Sequence, residues 1–238
     1  MLRKLIVVLV VALVCGAAFA SPARAQSQTV TFNIGGFNVR GYDSRVAGDV
    51  LVAELNGGYY DALLFNIHDF NSVTFGGDWT IGLGNFLDAG IGVSYYSDNV
   101  PSVSANFVNE DGSEIRQTLS LRIVPITASV RFLPLGRHAA IEPYIGAGVG
   151  FFNYRYRESG FFVNPADSSV FEAIPPYEHS GWATGPVILG GARFPVGQFV
   201  VGGEVRYQWA SGDLPADFIG SKIDLGGFTY QATFGVRF

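Results

Sequence analysis

The chain is poor in the residues that build disulfide, thiol and metal sites. It contains one cysteine and three histidines among 238 residues. Cys15 lies in an apolar N-terminal stretch, so the chain beyond it offers neither a disulfide framework nor a catalytic thiol. His68-Asp69 could orient an imidazole, but no His-x-His arrangement accompanies it. We therefore predict no metal site.

Positive charge is also scarce. Fifteen lysine and arginine residues face twenty aspartate and glutamate residues, giving a formal net charge of −5. Arg3, Lys4 and Arg24 precede residue 26, so twelve basic residues face twenty acidic ones beyond it and the charge falls to −8. An acidic chain without basic clusters argues against nucleic acid as a partner.

Long apolar runs are missing after residue 25. The run Leu5–Val14 is too short to cross a bilayer as a helix. A positive segment precedes it and the small-x-small pattern Ala23-Arg24-Ala25 follows it, which together predict a secretory signal peptide over 1–25 that is cleaved near Ala25. A lipid anchor on Cys15 is disfavoured because Val14 occupies the place of the small residue that should precede it.

What the chain does contain is alternation, and it is strictest at the end. The stretch 226–238 predicts a strand with one apolar and one polar face. It resembles the last strand of bacterial outer-membrane β-barrels, which typically ends in Phe and serves as the assembly signal. The edge strand of a sandwich is the alternative. The resemblance implies an assembly signal made by Tyr230, Phe234, Val236 and Phe238.

Seven further segments show the same alternation, and short connections alternate with long ones. An even strand number with this order of connections is typical of outer-membrane barrels. We predict one domain over 26–238, an all-β, eight-stranded, antiparallel up-and-down transmembrane β-barrel, with long outer loops at about 41–72, 98–113, 155–180 and 210–225. The other strands are predicted over 29–40, 73–84, 88–96, 115–132, 140–154, 181–194 and 201–209.

The fourth of these strands changes phase. Its apolar residues are odd-numbered from Ile115 to Ile123 and even-numbered from Ile126 to Phe132. A register slip of one residue would send every side chain to the wrong face. We therefore predict a β-bulge at Val124-Pro125 that restores the register.

Two runs in the middle of the chain carry a wider resemblance. Ile123–Thr127 and Glu142–Gly150 resemble the signature of the small outer-membrane β-barrel domain grouped with OmpA-, OmpX- and OmpW-type proteins. The resemblance implies a monomer in the bacterial outer membrane, in contact with membrane lipid and lipopolysaccharide, and assembled by the barrel-assembly machinery. A soluble periplasmic lipocalin-like barrel is the competing fold, and it would need an apolar interior and a polar outside.

Taking the aromatic parity as lipid-facing assigns a set of charges to the lumen. An eight-stranded barrel is just wide enough for side chains to fill it, and buried charges must pair. We expect an ionic plug, with a narrow polar conduit as the alternative. The predicted lumen network is Asp78, Asp88, Arg116, Arg122, Arg131, Glu142, Arg193, Glu204, Arg206 and Arg237.

Catalytic signals are weak. His179-Ser180 is the one histidine–serine pair, but neighbours on a strand point to opposite sides, and the His-x-Ser spacing of the resembling lipid A deacylases is absent. We predict no catalytic or cofactor-binding residues and a non-enzymatic protein with a structural or surface-interaction role. A passive channel for small, possibly hydrophobic, molecules is the first alternative, and a lipid A-modifying enzyme is the second.

Apolar side chains also occur on the predicted outer loops. They could contact lipopolysaccharide or a partner surface, or pack into a compact loop cluster. They are Phe161, Phe162, Phe171, Tyr177, Phe218 and Ile219.

Overall fold

The computed structural model describes residues 27–238, so the predicted signal peptide lies outside the described residues. Within that range, no helix is long and apolar enough to cross a membrane. One short helix, α1 (Val50–Leu55), and two 3₁₀ turns (Tyr42–Ser44 and Ile67–Phe70) accompany the strands. The strands are β1 (Gln28–Val39), β2 (Leu63–Leu64), β3 (Ser72–Gly82), β4 (Leu87–Val108), β5 (Glu114–Phe132), β6 (Glu142–Val163), β7 (Val170–Glu172), β8 (Tyr177–Val196), β9 (Phe199–Gln208), β10 (Ser211–Asp213), β11 (Lys222–Asp224) and β12 (Gly227–Arg237).

Eight of these strands close into a ring. The order around the ring is β1-β3-β4-β5-β6-β8-β9-β12, and β12 pairs with β1 to complete it. Every neighbouring pair is antiparallel, and Phe32 lies opposite Phe234 at the closure. The predicted up-and-down barrel of eight strands is confirmed. A closed ring leaves no unpaired edge, unlike the sandwich considered from the sequence.

The two ends of the barrel differ. At the turn end, the ring strands are joined by the connections 83–86, 133–141 and 197–198. At the loop end, the connections 40–71, 164–176 and 209–226 are longer, whereas 109–113 between β4 and β5 is short. The strands also differ in length. We call β4, β5, β6 and β8 the tall wall, since they have 22, 19, 22 and 20 residues. The short wall, β1, β3, β9 and β12, has strands of 10 to 12 residues.

Much of the sequence expected as loop is therefore extended strand. β4 continues to Val108 and β5 begins at Glu114, so most of 98–113 belongs to the tall wall. Likewise β6 continues to Val163 within the segment 155–180. In the first part of each extension the outward side chains are polar or charged, as at Ser97 and Asn99 of β4 and from Asn153 to Ser159 of β6. These stretches therefore lack the apolar outward face that marks the lower strands.

The loop-end connections of the short wall fold inward and form a cap. We define the cap as residues 40–71 and 209–226. Val50 and Leu51 of α1 are completely buried, in one cluster with Leu119 of β5 and Tyr156 of β6. The cap therefore packs against the inner face of the tall wall above the short one.

Asp49 holds the two parts of the cap together. Its carboxylate accepts hydrogen bonds from the backbone N–H of Val52 (3.3 Å), as an N-cap of α1, and from that of Asp224 (2.6 Å). Arg45 forms an ion pair with the same carboxylate at 2.5 Å. One side chain thus fixes the start of the helix to the segment before β12.

The phase change of β5 has another cause than the predicted bulge. The pairing of β5 with β6 runs without a shift from Gln117 to Phe132, through Val124 and Pro125. Odd-numbered side chains of β5 point inward throughout, and those of Leu119, Leu121 and Ile123 are buried against the cap. The bulge prediction was therefore wrong. In the lower part of β5 the apolar side chains face outward, whereas under the cap the apolar side chains face inward, so the apolar positions change parity without any change of register.

Candidate functional site: the barrel interior and the loop-end cleft

An apolar belt surrounds the lower part of the barrel. Along β6 the outward side chains are apolar from Ile145 to Phe151 and polar or charged from Asn153 to Ser159. Along β12 they are apolar from Phe228 to Phe238. These ten residue steps span about 26 Å at about 3.4 Å per step and a strand tilt of about 40°. Exposed members of the belt include Phe32, Phe75, Ile91, Val130, Ile145, Val149, Phe151, Ile188, Val201, Val205, Phe228, Tyr230, Phe234, Val236 and Phe238.

Inside the belt lies a first ionic cluster, made by four residues of three strands. Asp78 accepts from Arg131 and Arg206, each at 3.2 Å. Glu204 pairs with Arg206 at 2.7 Å and with Arg131 at 3.3 Å. Two carboxylates and two guanidinium groups balance, and all four side chains are more than nine-tenths buried.

A second ionic cluster lies closer to the turn end. Asp88 pairs with Arg193 at 2.6 Å and also with Arg137. Glu142 pairs with Arg237 at 2.7 Å and with Arg193 at 3.4 Å. Glu142 is completely buried, so its charge depends on these two arginines.

Tyr144 joins the two clusters. Its hydroxyl donates to Glu204 at 3.0 Å, and the guanidinium carbons of Arg131 and Arg193 lie 5.2 and 5.3 Å from its ring centre. The clusters with Tyr144 form one network, which we call the ionic plug.

The structure brings eight of the ten predicted lumen charges into this plug and leaves two outside. Arg116 lies on the outer face of β5, where it is exposed and pairs with Glu114 at 3.1 Å. Arg122 also lies outside, opposite Arg155 of β6. The sequence placed both in the lumen because the assumed bulge reversed the inward parity above Pro125.

The sequence missed other members of the plug. Arg137 lies in a turn, where the alternation of a strand does not predict which way a side chain points. Its side chain nevertheless enters the barrel beside Gly82. A Cβ atom on residue 82 would collide with the guanidinium group of Arg137. Asn33 and Gln231 donate to Asp78 and Glu204. Their inward parity follows from the alternation of β1 and β12, but a prediction based on charged residues does not include them.

Above the ionic plug the interior becomes apolar. Along β6 the inward side chains change from Glu142 and Tyr144 through three glycines to Phe152, Tyr154 and Tyr156. We call the apolar layer at this level the septum. Its members from the ring are between 0 and 5% exposed, and they are Phe37, Val39, Tyr96, Val100, Leu119, Leu121, Ile123, Phe152, Tyr154, Tyr156 and Val187. The sequence predicted a polar interior, but the interior is polar only in its lower part and apolar at the septum.

A cleft of about 490 Å³ opens above the septum at the loop end. Glu54 of α1 and Glu158 of β6 lie in it, 6% and 5% exposed. Burial, followed by the charge of Glu158, raises the pKa of Glu54 to about 9, and burial raises the pKa of Glu158 to about 7. The two carboxyl groups therefore retain a proton between them near neutral pH.

The weak catalytic signals stay apart. His179 points inward beside Tyr154, with ring centres 6.1 Å apart, whereas Ser180 is exposed on the outer face. His68 lies in a 3₁₀ turn of the cap. Within residues 27–238, no group of three or more His, Cys, Asp or Glu side chains could hold a metal ion.

The proposed assembly-signal residues lie together on β12 and at the residue that follows it. Tyr230, Phe234, Val236 and Phe238 all face outward in the apolar belt. Their role in assembly stays a prediction.

Comparison with known proteins adds a likeness of shape. No protein-family model matches the chain, and no curated protein does. Ail, the attachment invasion locus protein of Yersinia pestis, is 13% identical, with 90% of this chain and 99% of that one covered and a TM-score of 0.49. A major outer-membrane protein of Thermus thermophilus is 12% identical, with 90% and 100% covered and a TM-score of 0.48.

A third similar structure is the outer-membrane protease OmpT of Escherichia coli, 9% identical, with 91% and 97% covered and a TM-score of 0.43. At these scores the likeness is limited to general shape and assigns no activity. The architecture rests on the pairing of the chain's own strands. By that pairing, the chain is an eight-stranded antiparallel up-and-down β-barrel, the architecture expected from its resemblance to the small outer-membrane barrel proteins.

Proposed function

We propose that this protein is an integral protein of the bacterial outer membrane whose barrel is closed and whose function lies at its outer surface. The observation that carries the proposal is the septum. Leu119, Leu121, Phe152 and Tyr156 are completely buried across the lumen, directly above the paired charges of the ionic plug. Two successive filled layers leave the loop end as the region where a partner can be met.

The apolar belt supports a location in the membrane. Its height matches the outward apolar band of about 25 Å in outer-membrane barrels. Aromatic side chains with polar atoms lie outward near its loop-end border, among them Tyr95, Trp182, Tyr207 and Trp209. Such residues mark the interface between hydrocarbon and headgroups. By the usual orientation, the loop end faces the outside of the cell.

Lipopolysaccharide is the proposed neighbour at this border. Arg122 and Arg155 lie directly opposite each other on the outer face, and Arg157 follows on the same side of β6. Like charges directly opposite on neighbouring strands are unfavourable unless an anion lies between them. Arg155 has one weak partner, Glu178 at 3.8 Å. The phosphate groups of lipid A would supply the missing negative charge.

Conductance across planar lipid bilayers tests the closed barrel. The protein is folded in detergent, checked for a faster-migrating unboiled band in electrophoresis, and inserted beside a porin as positive control. We expect no single-channel steps from the protein at voltages where the porin gives them. Discrete steps from the folded protein would contradict the closed barrel and favour the passive-channel alternative.

Lipid retention tests the proposed neighbour. The double variant Arg122→Gln/Arg155→Gln should retain several-fold less lipopolysaccharide through purification than the parent protein. Arg116→Gln is the matched control, because Arg116 is exposed on the same strand but already pairs with Glu114. Equal retention by all three proteins would count against the arginine contact.

A further inference from the structure

The loop-end cleft has an acidic floor and aromatic sides. Glu54 and Glu158 lie at its buried end, and Asp61 and Asp217 lie elsewhere in its lining. Phe162 of β6 packs against Phe171 and Tyr177, with ring centres 6.0 and 5.2 Å away. None of the described residues that line the cleft is basic.

One oxygen of the floor is unsatisfied. The Oε1 atom of Glu158 is buried and has no hydrogen-bond partner among residues 27–238. Glu158 is 5% exposed and lines the cleft. A buried carboxylate oxygen without a partner costs free energy unless a donor reaches it. The septum below the cleft is apolar, and the nearby hydroxyl of Tyr156 is also without a hydrogen-bond partner among residues 27–238.

The lining favours one class of donor. A metal ion would need several oxygen or nitrogen ligands, and no such group occurs within residues 27–238. An ammonium group attached to an apolar chain matches both features, since it donates to carboxylates and its chain and charge are favourable against aromatic rings. A volume of about 490 Å³ lies within the range of small-molecule sites.

We propose that the loop-end cleft binds an organic ammonium ion, with the cationic group on Glu158 and Glu54 and the alkyl part against Phe162, Phe171 and Tyr177. The inference rests on the proposed surface role in one respect: the ligand reaches the cleft from the outer medium. Uptake through the septum plays no part in it.

Proton release accompanies this binding. The pKa values of about 9 for Glu54 and about 7 for Glu158 mean that the empty pair holds a proton near pH 7.5. A cation favours the ionised form, so binding releases protons and affinity rises between about pH 6 and pH 9. The other titratable groups around the pair are acidic or phenolic, namely Asp49, Tyr60, Asp61, Tyr156, Tyr177 and Asp217.

Isothermal titration of the detergent-folded protein with 1,6-diaminohexane tests the proposal, with 1,6-hexanediol as the neutral control of equal length. We expect saturable binding of the diamine and none of the diol. The heat at pH 7.5 should differ between phosphate and Tris buffers, because released protons are taken up by the buffer. A merely structural carboxyl pair would give no buffer-dependent heat.

Two variants and a control complete the test. Glu158→Gln should weaken diamine binding at least tenfold, whereas Glu114→Gln, on an exposed glutamate of β5, should leave it unchanged. If Glu158→Gln does not fold, Phe162→Ala keeps both carboxyl groups and should weaken binding several-fold. Equal binding of diol and diamine, or unchanged affinity in the folded variants, would overturn the proposal.

This outcome is independent of the closed barrel. A barrel that conducts but binds the diamine would refute the closed lumen and keep the cleft. A barrel that neither conducts nor binds the diamine would support the closed lumen and refute the ammonium site in the cleft.

Discussion

Individual charged residues in this barrel are stabilised by partners rather than by water. Asp88 is 2% exposed and lies between Arg137 and Arg193. Glu114, on the outer face of β5, is exposed to solvent and has one ionic partner, Arg116. The same type of side chain therefore contributes very differently to stability. Breaking a buried pair leaves an uncompensated charge, whereas an exposed pair is worth little.

We expect Asp88→Asn to lower the free energy of unfolding by about 3–5 kcal/mol, because Arg137 and Arg193 lose a buried anionic partner. Urea unfolding of the protein in lipid vesicles measures the change. Glu114→Gln is the matched control and should change stability by less than about 1 kcal/mol. Equal effects of the two substitutions would show that the plug charges are not buried as described.

The carboxyl pair of the cleft predicts how pH acts on the loop end. Raised pKa values mean that the folded state holds protons that the unfolded cap would release. The contribution of this pair to the stability of the cap is therefore most favourable below about pH 4.5 and declines as pH rises toward 7 and 9. Amide hydrogen exchange in the segment 50–61, corrected for the intrinsic pH dependence, should be faster at pH 9 than at pH 5. Glu54→Gln should reduce this difference, and an unchanged difference in that variant would contradict the assignment.

Among the elements, the cap is the least self-sufficient. α1 has only six residues and is too short to persist alone. Its place depends on Val50 and Leu51 packing against the tall wall and on Asp49 at its start. The cap can therefore loosen without opening the ring of eight strands.

We expect Asp49→Ala to cost about 1–2 kcal/mol locally, through loss of the N-cap and of the Arg45 ion pair. Limited proteolysis should cut within residues 40–71 faster than in the parent protein, while the unboiled band still migrates as a folded barrel. Asp43→Ala, an exposed acidic residue in the same segment, should leave the cleavage rate unchanged. Loss of the folded band in Asp49→Ala would show that cap and ring unfold together.

For the whole molecule, the two walls and the belt determine which surfaces are apolar and which are polar. The belt encloses the ionic plug, and the tall wall rises above it with a polar outer face and an apolar inner face. The barrel thus reverses its two faces along its own axis. A lipocalin-like barrel would instead keep one apolar interior and one polar exterior along its length.

A pair of arginine substitutions tests this division. Val149→Arg places a charge in the middle of the belt and should destabilise the barrel in lipid by about 2–4 kcal/mol. Ser180→Arg places the same charge on the outer face above Trp182 and should cost less than about 1 kcal/mol. Unfolding titrations in vesicles compare the two. Equal costs would place the membrane elsewhere on the barrel.

The sequence by itself determined the number of strands in the ring, their order and the apolar outward side of the lower barrel. These follow from alternation, which is local: each strand such as β12 carries its own two-residue period and its own apolar face. Eight of the charges that lie in the plug could be named for the same reason, because inward parity continues along a strand once one residue is assigned.

Only the tertiary structure decided where the apolar interior begins. The inward parity of β5 is the same along the whole strand, but the environment of its inner face is not. The cap, which is formed by segments distant in sequence, covers Leu119 and Leu121 from inside the barrel. The entry of Arg137 from a turn and the meeting of Glu54 with Glu158 likewise depend on chain segments brought together by ring closure. Contacts between residues far apart in sequence leave no local period, so no pattern within one strand could have revealed them.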